Sequence, residues 1–439
     1  GRGIIDIKIE YPFKARECKS ELKWFHKPLR IGAETTQRQR GNRTTLVQSI
    51  FKDRCKESDT RAFFDTVPIM AHAFKEDWHF LQAKLQRFIK QDPSQIVVIE
   101  GLIRERYIQL SNIFRHSAAE GDEHDCIGFN EFIDLVVTCG IPDKASCPLS
   151  AAQGAFIAAN VEMETNTKAE KLAMDENPDN ALCLYEFLEA LIRIALRKFR
   201  DKASKTTADS DSDAVRILVD DFLIPKCAQM DSNEFRREHL YWLDIIMVLE
   251  TYKLKISKLW REYATNSGAN QLMSISEWRD FCVGTGLTRI GYYSNEKKGD
   301  TQTPFFPGTA LKYAFWSSQT LIRNVLTRNV RDKSRNANDS LTFTEFLEAI
   351  VRVASTLDSG PVLKELGLPE DCILSEKLVC TLELMFGASN PDVFQQAAYP
   401  ALLSSLREHH VHQMEWPDRD DYIFRGTMLT SVAETAPGE

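Results

Sequence analysis

The stretch Asp175 to Ala195, DENPDNALCLYEFLEALIRIA, constrains the fold more than any other segment, because an acidic, amide-rich loop runs directly into an apolar helix. Oxygen-bearing side chains stand at loop positions 1, 3, 5 and 12, as Asp175, Asn177, Asp179 and Glu186. Ala181 holds the seventh place, where a backbone carbonyl serves as a ligand. A hard divalent cation takes about six to eight oxygens, two of them from a closing Glu. Leu182, at the eighth place, is positioned for a short strand, and Phe187 opens the exit helix. Pro178 opposes tight wrapping, since its ring fixes φ and restricts Asn177 before it.

The loop ending recurs as Ile127, Phe129, Glu131, Phe132, as Met273, Ile275, Glu277, Trp278, and as Leu341, Phe343, Glu345, Phe346. A constant offset of 146 places Ile108 on Leu254, Phe114 on Trp260, Glu131 on Glu277 and Gly140 on Gly286. An offset of 159 places Ala155-Phe156 on Ala314-Phe315 and EFLEALIRIA (Glu186 to Ala195) on EFLEAIVRVA (Glu345 to Ala354). So many apolar matches at one register read as two homologous lobes with two loops each.

In these residues the chain resembles the calmodulin-like EF-hand superfamily from about Ser94 to Ala354. The resemblance implies an all-α fold of two duplicated EF-hand-pair lobes, flanked by extended N- and C-terminal arms. It also implies that Ile127 lies near Leu182 and Met273 near Leu341, where paired loops form short strands. Asp175, Asn177, Asp179, Ala181 and Glu186 become the candidate calcium ligands, in the one loop chemically suited to calcium. The first loop offers Glu120, Asp122, His124 and Glu131, but calcium prefers oxygen to imidazole. The third (Asn266, Gly268, Asn270, Glu277) and fourth (Ser334, Asn336, Asn338, Glu345) keep the closing Glu without an acid at positions 1, 3 or 5. Their glutamates are expected to hydrogen-bond loop amides and keep the shape without an ion.

Around this frame the pattern predicts a basic extended arm over 1–45, a first lobe over 46–200, a polar linker over 201–213, a second lobe over 214–356, and C-terminal helices and tail over 357–439. Within them it predicts long helices over about 95–118 and 233–263, a helix over 214–223 stopped at Pro225, and helices near 375–386 and 391–406. His409, His410 and His412 with Glu415 offer donors for a transition metal, but without a fixed helical or second-shell context they read as a polar loop.

Charge is uneven. The chain carries −8, yet Gly1 to Lys56 holds 14 Lys or Arg against 6 Asp or Glu, leaving −16 for the rest. A basic arm on an acidic body fits a partner with an acidic surface, or a merely solvated extension. No apolar run approaches the roughly 18 residues of a membrane span, so no membrane role is expected, nor is nucleic acid. The 10 cysteines form no CxxC pair, as in reduced cytoplasmic proteins.

The chain has no Gly-rich phosphate loop, GxSxG elbow or HExxH, so a non-enzyme is expected. The F/Y-x-E-F-L-E-A-like exits with IRIA or VRVA behind them, on lobes flanked by irregular arms, resemble the large EF-hand proteins of ciliary and flagellar axonemes. That resemblance implies a structural scaffold bound to microtubules, with tubulin or axonemal proteins as partners of the basic arm. The alternative is a calcium-sensing adaptor or regulatory subunit that binds target helices; sensors keep several good loops and a Met-rich groove.

Overall fold

The computed structural model describes residues 46–54, 63–65, 67–90, 92–121, 126–161, 180–200, 207–264, 271–288, 306–319, 340–357, 368 and 371–386. The arm 1–45, the loop residues Asp175, Asn177 and Asp179, the helix expected over 391–406 and the histidine tail lie outside them. The described chain is all-α, with strand confined to two-residue ladders. Its described residues divide into two compact units: those of 65–231, and those of 46–64 packed with those of 232–319 and 340–386.

The first unit opens with α1 (Val67–Phe88) and α2 (Ser94–Glu120). Asp92 accepts the Ser94 N–H at 3.1 Å, satisfying a donor that the first turn of α2 leaves orphaned. β1 (Ile127–Gly128) leads into α3 (Phe129–Thr138), and α4 (Leu149–Ala159) follows. β2 (Ala181–Leu182) then leads into α5 (Leu184–Phe199). β1 and β2 pair antiparallel with Ile127 opposite Leu182, the expected register. The core forms where Phe114, Phe132, Phe156 and Phe187 meet, with ring centroids 5.5 Å apart for Phe132 and Phe156 and 5.6 Å for Phe114 and Phe187.

In the second unit, α8 (Ser232–Phe235), α9 (Leu243–Tyr263), β3 (Met273–Ser274), α10 (Ile275–Gly284), α11 (Gly308–Ser318), β4 (Ser340–Leu341), α12 (Phe343–Ser355) and α13 (Leu374–Met385) follow in order. Met273 stands opposite Leu341 in the second ladder, again as expected. Trp260, Trp278, Phe315 and Phe346 occupy the offset positions of the four phenylalanines and also cluster, Trp260 lying 5.0 Å and Trp278 6.0 Å from Phe346 between centroids. Gly140 after α3 and Gly286 after α10 have φ of 64° and 76°, the left-handed conformation that ends a helix without a Cβ clash.

Four details depart from the sequence reading. Residues 46–54 and 63–64 pack with the second unit rather than opening the first lobe, where Tyr241 meets Phe51 and Phe64 edge-on at 5.4 and 5.3 Å with Phe63 beside them. The helix expected to open the second lobe begins earlier, as α6 (Asp211–Ile217), and belongs to the first unit, packing on α2 and α5. Ser210 caps it, accepting the Asp213 N–H at 3.1 Å, so the expected linker is structured there. Pro225 does not stop this helix: a π-helical stretch, Leu218–Leu223, widens it and lets α7 (Ile224–Cys227) start with Pro225 in its first turn, where no donor is needed. Finally, the long helix over 233–263 is interrupted: Tyr241 leaves helical geometry (ψ 48°), its N–H bonded to Arg236 O, and Trp242 restarts the chain as an extended cap of α9.

Candidate functional site: the closing glutamates and the carboxylates behind them

Each loop-closing Glu is the third residue of its exit helix, so its carboxylate folds back over the ladder. Glu277 accepts the Ser274 N–H at 2.7 Å and Glu345 the Thr342 N–H at 2.8 Å, while Ser274 and Thr342 return the bond in reciprocal capping boxes. Both carboxylates therefore satisfy backbone donors, the role expected of them without an ion. Glu131 packs over the backbone of Gly121 and Gly128; a Cβ at Gly128 would collide with its carboxylate, and one at Gly121 would sit tightly against it. Burial pushes the Glu120 carboxyl up, reinforced by Asp134 and Glu131 nearby.

Glu186 is held differently. Its Oε2 accepts the Cys183 N–H at 3.2 Å, and its Oε1 lies 3.3 Å from Lys84 Nζ and 3.4 Å from the Tyr185 hydroxyl. Lys84 comes from α1, is 3 % exposed, and also donates to Ala159 O at 2.5 Å. The same ammonium lies 3.2 Å from Glu189 Oε2, one helical turn further along α5. Arg193, four residues on, pairs with the other Glu189 oxygen at 2.7 Å. One lysine thus holds two buried carboxylates, where full burial of unpaired charge would cost several kcal/mol.

The second unit carries a stronger version at the offset position. Glu348 is 0 % exposed and meets three guanidiniums: Arg54 at 2.5 Å, Arg236 at 3.1 Å and Arg352 at 2.8 Å. Burial pushes its carboxyl up, but Arg236, Arg54 and Arg352 together outweigh burial and hold it at about 2. The same guanidiniums also reach backbone: Arg54 Nη2 donates to Ser318 O at 3.4 Å, and Arg236 Nη2 to Gln319 O at 3.2 Å.

Of the candidate ligands, Ala181 lies buried in β2 and Glu186 faces Lys84, while Asp175, Asn177 and Asp179 lie outside the described residues. Bidentate calcium ligation needs both Glu186 oxygens. As arranged, one is capping a helix and the other faces an ammonium, so this residue does not fit the ion in the described geometry. Among the described residues no group of three or more His, Cys, Asp or Glu side chains is placed to hold a metal. No described helix is long and apolar enough to cross a membrane. The carboxylates behind the closing ones were missed by sequence reasoning. Their signal was present: Glu189 and Glu348 take the same place in EFLEA, each with an Arg four residues later.

No family model matches the chain, and neither a curated protein nor a solved structure matches it.

Proposed function

We propose that the protein is a non-enzymatic structural scaffold built on two degenerate EF-hand pairs whose shape is fixed by internal cations rather than by calcium. The observation that carries this reading is the Lys84 clasp on Glu186 and Glu189, which sets an ammonium of this chain behind the loop best suited to calcium. A sensor needs a closing Glu that swings between helix cap and ion; a carboxylate held in an ion pair gives a rigid module instead. In keeping with its resemblance, the scaffold is placed in the cytoplasm as a component of a ciliary or flagellar axoneme. The basic arm, with its +8 charge over Gly1 to Lys56, is the docking element for tubulin's acidic surface.

The spacing of Asp175, Asn177 and Asp179 favours a second reading, a calcium-sensing adaptor that binds target helices. Calcium titration of the full chain separates the two: the scaffold shows no submicromolar binding, whereas tight binding lost in Glu186→Gln establishes the sensor. Co-sedimentation with microtubules tests the partner. Full-length protein pellets in a salt-sensitive manner and the chain lacking Gly1 to Asn42 does not; equal pelleting of both defeats the arm's assignment.

A further inference from the structure

Where α3 ends against α7, two thiols face each other, with Cys139 Sγ 3.2 Å from Cys227 Sγ. Cys139 caps α3, donates its N–H to Leu135 O at 2.9 Å and is sealed from solvent. Cys227, the last residue of α7, is partly exposed. Two features hold the pair in register. The left-handed Gly140 turns the chain immediately after Cys139, and Lys226 donates its ammonium to the Cys139 carbonyl. A disulfide needs about 2.05 Å between sulfurs, so an approach of about an ångström closes the gap.

We propose that Cys139 and Cys227 form a reversible disulfide site, oxidised by hydrogen peroxide, that staples α3 to α7. The inference is independent of the scaffold reading. Cys227 is the sulfur an oxidant can reach. Its thiolate attacks one peroxide oxygen, the O–O bond breaks, that oxygen stays as the sulfenic acid, and the other leaves as water after taking a proton. The Cys139 sulfur then attacks the Cys227 sulfur. The S–S bond forms, and the sulfenic oxygen leaves as a second water carrying the Cys139 proton. Two thiols supply two electrons, and one peroxide is reduced to two waters; a dithiol reductant reverses the bond by exchange. Burial pushes the Cys139 thiol up to about 12, helped by Cys227 and opposed by Lys226. Cys139 therefore stays protonated and inert until an electrophilic sulfur is placed against it.

The bond spans a sequence separation of 88, so closing it restrains the unfolded chain over a long loop. The test treats the full chain with hydrogen peroxide and maps non-reduced peptides by mass spectrometry. The expected product joins the Cys139 and Cys227 peptides, reverts with dithiothreitol and raises the melting temperature. Cys227→Ser removes the cross-link, leaves Cys139 reduced and abolishes the thermal shift. Cys139→Ser leaves a Cys227 sulfenic acid that dimedone traps. Cys227 overoxidised beside a reduced Cys139, a cross-link to another cysteine, or a thermal shift that survives Cys227→Ser overturns the proposal. If Cys139→Ser fails to fold, the Cys227→Ser comparison alone decides.

Discussion

Arg236 Nε lies 3.1 Å from Glu348 Oε2, and both side chains are fully withdrawn from solvent. Arg236 sits in the π-helical turn just before the break at Tyr241, and that turn brings its guanidinium over the centre of α12. Arg54 approaches the same carboxylate from a segment 294 residues away in sequence. The interrupted helix and the segment 46–54 thus each deliver a cation to the same buried anion.

Removing that anion strands three buried guanidiniums. Glu348→Gln is expected to destabilise the second unit by about 3–5 kcal/mol, since breaking a buried pair leaves uncompensated charge. By contrast Glu250→Gln, which breaks the half-exposed pair with Lys253, is expected to cost under about 1 kcal/mol. Urea denaturation of both variants checks the contrast. Equal midpoints for the two substitutions would show that the cluster contributes no more than a surface pair.

The same cluster gives a pH signature. Glu348 is held at about 2 when folded against an ordinary value of 4.5, so its contribution is fully present above 4.5 and fades as pH falls towards 2. A carboxyl moved that far contributes on the order of 3 kcal/mol. The stability difference between wild type and Glu348→Gln should therefore shrink on acidification through this window, whereas other carboxylates cancel in the comparison. Urea midpoints at pH 7, 4 and 3 measure it, and a difference that does not change with pH counts against the assignment.

Trp278 supports the second unit's aromatic core from α10. It is 0 % exposed, its Nε1 donates to Leu311 O at 3.0 Å, and its ring meets Phe281, Phe315 and Phe346. Trp278→Ala is expected to cost about 3–5 kcal/mol through lost burial and the cavity left behind. Trp278→Phe should cost less, leaving mainly the Leu311 carbonyl without its partner. Denaturation midpoints and near-ultraviolet circular dichroism of the two variants rank them.

The helical fold and both ladders were legible because they rest on local, repeated signals. Apolar residues at a fixed offset predicted that Ile127 faces Leu182 and Met273 faces Leu341, and the ladders form in that register. What escaped was non-local. A Glu in a helix pattern reads as a solvent-facing residue, and nothing beside Glu189 or Glu348 in sequence announces Lys84 or Arg54. Pro225 reads as a stop because its missing N–H and ring disfavour a continuing α-helix, yet the π-helical widening before it removes the conflict. The boundary after 213 was misplaced for a similar reason: polarity over 201–213 reads as a linker, but Ala208 N–H bonds Phe199 O and Arg106 on α2 pairs with Asp220 at 2.5 Å.

The last prediction joins the two halves of the Glu186 problem. Lys84 lies between Glu186 and Glu189, and its removal takes the facing ammonium from both carboxylates while the Cys183 N–H still caps Glu186. Lys84→Met keeps much of the apolar stem while deleting the charge, and is expected to destabilise the first unit by about 3 kcal/mol in the absence of metal. It also removes the ammonium facing an oxygen of the closing Glu whose loop carries Asp175 and Asp179 at its first and fifth places. Added calcium should then raise the melting temperature of Lys84→Met and leave wild type unchanged, because a ligand that binds only the folded state stabilises it by mass action. Lys84→Met combined with Glu186→Gln should lose the calcium response. Thermal melts with and without millimolar calcium decide it: a wild-type shift as large as the variant's would show that Lys84 does not stand in for the ion.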